Sequence, residues 1–359
     1  MNEVKHLYVH VPFCRTICYY CDFCHRVYDE KIAERWLDKL EKEIEERCDD
    51  HYETIYIGGG TPTALNVVQL ERLLGLIEPY SDRVIEYTVE ANPESLDDKT
   101  VSLFGRYGIN RVSLGVQTSD SKLLESLNRH HGFQMVREKI QLLKDSGIDN
   151  ISVDLMYSLP GQTMEMLERS IDDILSLNVP HISIYSLTIE ENSVFGKRGM
   201  EPLDDETEAD MYEMIEKMLT DNGYIHYEVS NYCLDGYESK HNMSYWNYDD
   251  FLGVSMSASG KIGNSRYTNT RSFERYFNDY HSRDEDLKLE KKDLMFENIM
   301  MSLRTIHGLD IESFNERYGC DIREEYKEAL KDPHLKIVDG HLICDDLELL
   351  NTVLLDFLN

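Results

Sequence analysis

The sequence predicts an α/β fold: six parallel strands, each followed by a helix, curled into a partial (βα)6, TIM-like barrel, with a small C-terminal α+β domain of winged-helix type. Three observations predict it. Short runs rich in β-branched and aromatic residues alternate with segments of helical period. The runs start roughly 26 to 48 residues apart, enough for right-handed helical crossovers between parallel strands. Polar or glycine-rich residues follow every run, at the strand ends where such a barrel carries its chemistry.

In order, "HLYVHV" (6–11) leads into four cysteines and then the helical "AERWLDKLEKEIEER". "TIYIGG" (54–59) ends in "GGGTPT", "VIEYTVEA" (84–91) in "EANPE", and "NRVSLGV" (110–116) in "GVQTSD". "NISVDLM" (150–156) runs into "DLMYSLPG" and the helical "MLERSIDDILSL"; "HISIYSL" (181–187) runs into "YSLTIEE". One such loop is ordinary turn chemistry, whereas six in register point to a shared site. These units fill residues 1–235. Residues 236–284 are expected to connect and carry "HNMSYW" in an exposed loop; "EPLDDETEAD" (201–210) is expected to be a solvated helix approach.

Residues 285–359 read as helices "KKDLMFENIMMSLRT", "IESFNERYG" and "REEYKEALKD", a hairpin "LKIVDGHLIC" turning at Asp-Gly, and a last helix. The order is that of a winged helix, often used on DNA. Here 9 Lys and Arg face 18 Asp and Glu, which disfavours DNA and suits a cap or protein-contact module.

The 359 residues carry 37 Lys and Arg against 68 Asp and Glu, a formal charge of -31, which repels polyanions and argues against nucleic-acid binding. No apolar run approaches the roughly 20 residues of a membrane span, and the first residues lack the pattern of a signal peptide. A cytoplasmic protein is expected.

Cysteine usage is uneven. Cys48, Cys233, Cys320 and Cys344 are scattered and read as buried or half-buried core residues. Cys14, Cys18, Cys21 and Cys24 crowd into eleven residues, which in an intracellular setting favours metal over disulfides. The C-x3-C-x2-C spacing of Cys14, Cys18 and Cys21 lets three thiolates hold three irons of a cubane and leaves the fourth iron open. A closed four-thiolate zinc site including Cys24, and a triad of Cys18, Cys21 and Cys24, are the alternatives.

On these residues the chain resembles a known family. "CRTICYYC" is similar to the cluster loop of radical S-adenosylmethionine (SAM) enzymes. Together with "YVHVPFC", "GGGTPT", "VEANPESL", "RVSLGVQT", "DLMYSLPGQT", "YSLTIEENSVF", "YEVSNY", "HNMSYW" and "FLGVSMSASG" it resembles the oxygen-independent coproporphyrinogen III oxidase-like family, over residues 8 to about 310. The resemblance implies a 4Fe-4S cluster on Cys14, Cys18 and Cys21, with SAM on the open iron. It places Tyr8 near the cluster loop, Tyr20 against the adenine, and Gly59, Gly60 and Thr61 at the methionine end of SAM. Glu90, Gln117, Arg129 and Asp154 match the family's polar contacts to SAM, the carboxylates suiting ribose hydroxyls or the ammonium and Arg129 a carboxylate; a surface salt bridge is the plain alternative for Arg129. The implied chemistry is one-electron cleavage of SAM to a 5′-deoxyadenosyl radical, which calls for a flavodoxin- or ferredoxin-like electron donor.

Members that oxidise coproporphyrinogen carry a cysteine two places after the triad and a longer N-terminal extension. Here that position is Phe23 and the triad begins at residue 14, so decarboxylase activity is not expected. "CDF" resembles instead the family's haem chaperones, whose haem ligand sits in an "HNxxYW" motif, here His241 to Trp246. The reading is a haem-binding protein that delivers haem to acceptor proteins; the alternative is a coproporphyrinogen III oxidase or another tetrapyrrole-modifying radical SAM enzyme. His241 is expected to ligate iron, with Tyr245 and Trp246 stacking and Lys240, Arg266, Arg271 and Arg275 holding the propionates; the plain alternative is that His241 caps or hydrogen-bonds locally while the aromatics fill the domain junction. Cys24 departs from both subgroups.

Overall fold

In a computed structural model, residues 4–49, 51–347 and 349–358 are described. The six expected strands are present as β1 (His6–Val11), β2 (Thr54–Gly59), β3 (Glu86–Ala91), β4 (Arg111–Gln117), β5 (Asn150–Tyr157) and β6 (His181–Ser186). Each pairs in parallel with the next in chain order. The intervening helices are α1 (Glu30–Arg47), α2 (Val67–Ile77), α3 (Asp98–Arg106), α4 (Ser121–Ser126), α5 (Phe133–Asp145) and α6 (Met164–Leu175). Most start on a side-chain cap: Asp29, Asn66, Asp97, Asp120 and Thr163 each accept a backbone N–H two or three residues on, satisfying donors that a helix start leaves orphaned.

Strand alternation sorts the side chains. Leu7, Val9 and Val11 of β1 and Ile55 and Ile57 of β2 are fully buried beneath the helices, where α1 presents Ala33, Trp36, Leu37, Leu40 and Ile44 at helical spacing. The alternate residues face the barrel interior and are polar or aromatic. Across the strands His6 lies opposite Thr54, Tyr8 opposite Tyr56, and Glu90 opposite Ser113. The interior is therefore a stack of polar layers rather than an oily plug.

The sheet continues beyond the six strands. After α7 (Asp205–Asp221) come β7 (Ile225–Glu228) and β8 (Asn231–Cys233); β8 pairs antiparallel with β6, and β7 antiparallel with β8 at the edge. The 236–284 segment supplies α8 (Lys240–Trp246), then β9 (Phe251–Val254), which pairs in parallel with β1, then β10 (Ser259–Ile262) and β11 (Ser265–Asn269); β12 (Arg283–Lys288) follows antiparallel on the edge. What reads as a connection is thus one flank of the sheet. The expected exposed loop around "HNMSYW" is the helix α8, capped by the Ser239 side chain and by the Glu86 carboxylate, which accepts the backbone N–H groups of Lys240 and His241 at 2.9 Å each. Glu201, Asp204, Asp205, Glu206 and Asp210 are exposed, as expected of this acidic approach; Glu208, in the first turn of α7, differs in accepting hydrogen bonds from Ser158 and Ser186 at 2.7 Å and so ties two loops together.

The C-terminal part has its own apolar core around Met295, Ile299, Phe314, Leu342 and Phe357. It contains α9 (Lys291–Ser302), β13 (Leu309–Asp310), α10 (Ile311–Tyr318) and the hairpin β14 (Leu335–Val338) and β15 (His341–Cys344). Asp339 and Gly340 both take positive φ, 48° and 87°, as a tight Asp-Gly turn requires. "REEYKEALKD" is not one helix: it breaks at Tyr326 (φ -117°, ψ 35°), whose ring packs 5.3 Å from that of Phe357. Cys48 and Cys320 are half-buried, and Cys233 and Cys344 buried, as expected.

Candidate functional site

At the C-terminal ends of β1 to β6 a cavity of about 290 Å³ is lined by Cys14, Cys18, Cys21, Tyr20, Gly59, Gly60, Thr61, Glu90, Gln117, Arg129 and Asp154. Every expected cluster and SAM residue except Tyr8 thus meets in one place. Tyr8 lies a layer below: its hydroxyl is 3.0 Å from His10 Nδ1, and His10 Nε2 is 3.1 Å from the Cys24 carbonyl. It reaches the cluster loop through that histidine.

The loop is built from both ends. Phe13–Cys14 pairs in parallel with Arg26–Val27, closing the segment between them. Cys24 is held at the base, donating its thiol to the Arg271 carbonyl at 3.3 Å; it is absent from the cavity wall. Cys24 thus stands apart from the wall that Cys14, Cys18 and Cys21 share. Burial pushes the thiols of Cys14 and Cys21 up to about 12, so an iron corner would have to displace their protons. Among the described residues no group of three His, Cys, Asp or Glu side chains is gathered to hold one metal ion. Thiolates of a cubane bind three separate irons, which the looser triad around a shared cavity fits.

The glycines answer to the protein first. A Cβ on Gly59, whose φ is 109°, would lie 2.5 Å from His10 Nδ1; one on Gly60 would lie 2.6 Å from the Phe13 carbonyl oxygen. Backbone therefore lines the wall here, open to close approach by a ligand.

Two carboxylates face the cavity with partial partners. Glu90 accepts from the Tyr56 hydroxyl at 2.8 Å and the Gly59 N–H at 3.0 Å; burial nonetheless raises it to about 7. Asp154 accepts from Ser113 at 2.9 Å and is raised, again by burial first. A cationic ligand such as the SAM ammonium would relieve both. Arg129 is 6% exposed, which dismisses the surface salt bridge: it donates to the Gly115 carbonyl and lies 3.8 Å from Cys18 Sγ, while its Nε has no partner. An orphaned buried donor is a reason to expect a ligand. Gln117 adopts φ 70° where the β4–β5 register slips, strain of the sort that gathers at ligand sites.

The sequence did not single out His25, Tyr185 and Ser183, which also line the cavity. His25 Nδ1 lies 3.7 Å from Cys21 Sγ and Tyr185 donates to Gln117 at 3.2 Å; His25 follows the cysteine run directly, the one signal available.

His241 is elsewhere. It lies on α8 beneath the barrel, fully buried, with Nδ1 2.7 Å from Thr54 Oγ1 and Nε2 2.7 Å from the Tyr245 hydroxyl. Both ring nitrogens are engaged, so this conformation offers no lone pair to an iron. The expected propionate cations are dispersed: Arg266 pairs with Glu297, Arg275 with Asp284, and the Arg271 carbonyl meets Cys24 at the opposite end.

Comparison with known proteins bears on this site. The radical SAM superfamily profile matches residues 8–174 and the HemN C-terminal domain profile residues 289–343. "Heme chaperone HemW" of Lactococcus lactis subsp. lactis (strain IL1403) is 39% identical over 338 residues, covering 92% of this chain and 89% of that protein. The chain belongs to the HemW family of radical SAM proteins. "Heme chaperone HemW" of Bacillus subtilis (strain 168) is 35% identical, covering 92% and 91%, and that of Escherichia coli (strain K12) 31%, with the same coverage. The solved coproporphyrinogen III oxidase (HemN) of Escherichia coli superimposes with a TM-score of 0.86 at 21% identity, covering 99% of this chain and 90% of that one, which shows the shared fold. The radical SAM family implies a 4Fe-4S cluster and SAM, and the thiols, carboxylates and Arg129 that share the upper cavity are groups of the kind that would hold them. Among the described residues no helix is long and apolar enough to cross a membrane.

Proposed function

We propose that this protein is a haem chaperone: it binds haem and hands it to acceptor proteins, in the cytoplasm, with a 4Fe-4S cluster and SAM at the upper cavity. The observation that carries the reading is the near full-length similarity to proteins named heme chaperone HemW. The geometry agrees. At about 290 Å³ the upper cavity falls just below the roughly 300 to 1,000 Å³ of small-molecule sites. Phe23, 65% exposed, stands at its rim where coproporphyrinogen-oxidising relatives are expected to carry cysteine.

When bound, the cluster and SAM supply one-electron reductive chemistry, fed by a flavodoxin- or ferredoxin-like donor. The chain's residues do the positioning. Cys14, Cys18 and Cys21 hold iron, Tyr20 lines the adenine side, Gly59, Gly60 and Thr61 the methionine end, and Arg129 meets the carboxylate. Glu90, Gln117 and Asp154 hold the remaining polar groups. Anaerobic incubation of the reconstituted protein with SAM, reductant and coproporphyrinogen III tests the reading: the porphyrinogen is expected to persist, and its decarboxylation would establish the oxidase instead.

A further inference from the structure

A second and larger cavity, of about 1240 Å³, opens at the opposite, N-terminal end of the barrel strands, between them, α8 and the C-terminal part. The radical SAM site does not use it. Its wall holds His6 and Thr54 from the strand starts, Met243 from α8, Tyr248 before β9, Leu294 from α9 and Tyr318 from α10. Five Lys or Arg side chains and five Asp or Glu side chains line it, a balance far from the twofold acidic excess of the chain. Three of the cations, Lys240, Lys291 and Arg317, are exposed at its edge. Ile85, Met243, Leu294, Tyr248 and Tyr318 offer contact to a flat apolar body, and the edge cations offer partners for two carboxylates.

Thr54 joins two histidines there. Its Oγ1 lies 2.9 Å from His6 Nδ1 and 2.7 Å from His241 Nδ1. A hydroxyl has one proton: where it donates to one imidazole and accepts N–H from the other, the two rings hold opposite tautomers. With Thr54 donating to His241, that ring carries its proton on Nε2 and gives it to Tyr245. His6 then gives its Nδ1 proton to Thr54 and bares Nε2. That nitrogen is 4.0 Å from the Asp249 carboxylate, beyond hydrogen-bond reach. An imidazole whose far N–H is anchored on an oxygen is the arrangement of a metal-ligating histidine.

Resting on the haem-chaperone reading, we infer that haem occupies this lower cavity with His6 Nε2 as its axial ligand. His241 is a positioning residue that sets the tautomer of His6 through Thr54. Burial also holds His6 down to about 4, neutral at physiological pH.

The probe is haemin, titrated into the reconstituted protein and followed by its Soret absorption, with iron-free protoporphyrin IX in parallel. His6→Asn keeps an amide near the Nδ1 position for Thr54 and deletes Nε2. The variant is expected to bind haemin at least tenfold more weakly, with loss of the histidine-ligated spectrum, restoration by free imidazole, and wild-type affinity for iron-free protoporphyrin IX. Cluster iron content reports folding independently. A His6→Asn protein with wild-type haemin affinity and spectrum would overturn the assignment and leave the chaperone reading standing; a wild-type protein that binds no haemin overturns both.

Discussion

The Nδ1 of His241 lies 2.7 Å from the hydroxyl of Thr54, which places the HNxxYW motif against the start of a barrel strand 187 residues earlier. The same hydroxyl serves His6. Thr54→Val keeps the shape and leaves both Nδ1 groups without their partner. The expected loss is about 1–3 kcal/mol of stability, read by chemical denaturation, together with a haemin spectrum of mixed ligation. Unchanged stability would mean that water replaces the hydroxyl.

Cys14→Ala, Cys18→Ala and Cys21→Ala should each abolish a stable 4Fe-4S cluster. Cys24→Ala should keep iron and sulfide per chain near wild type, because its thiol is spent on the Arg271 carbonyl. Metal and sulfide analysis after anaerobic reconstitution decides; loss of iron in the Cys24 variant would bring that residue back into the ligand set.

Gly60→Ala introduces a Cβ 2.6 Å from the Phe13 carbonyl, a backbone atom that cannot swing aside. A destabilisation of about 1–3 kcal/mol is expected with weaker SAM binding by equilibrium dialysis. An undiminished SAM affinity would show that this wall is not the methionine end.

Glu228 is wholly buried, and burial raises its carboxyl to about 7. The folded state thus holds its proton where the unfolded chain, with an ordinary glutamate, has released it. Between about pH 4.5 and 7 the unfolded state binds fewer protons, so this residue's contribution to stability falls as pH rises, by on the order of 3 kcal/mol across the window. Glu228→Gln should flatten that fall in denaturation measured at pH 5 and pH 8; a difference between the proteins that does not change with pH would contradict it.

Much of this was legible in the chain itself. The starts of β1 and β2 at His6 and Thr54, and the Asp339-Gly340 turn, follow from local chemistry, and the cysteine spacing led to three thiols that share a cavity. What was not legible depends on partners distant in sequence. Nothing near Lys240 announces that Glu86 will cap α8, so His241 reads as exposed when it is buried. Arg129 carries a surface salt bridge as its plain alternative, which only the closure of Gly115 and Cys18 on it removes. Arg266, Arg271 and Arg275 are neighbours in sequence, but Arg266 on β11 pairs with Glu297, Arg275 on the short helix beyond it pairs with Asp284, and Arg271 meets Cys24 through its backbone carbonyl. The lower cavity exists only because strand starts, α8 and the C-terminal helices converge, and no single stretch encodes that.

The most direct measurement is the stoichiometry of haemin binding by the anaerobically reconstituted wild-type chain, followed by transfer to an apo haem protein. One haem per chain that saturates, leaves the cluster intact and passes on to the acceptor is the predicted result. A chain that takes up no haem, or that holds it without ever yielding it, would contradict the account.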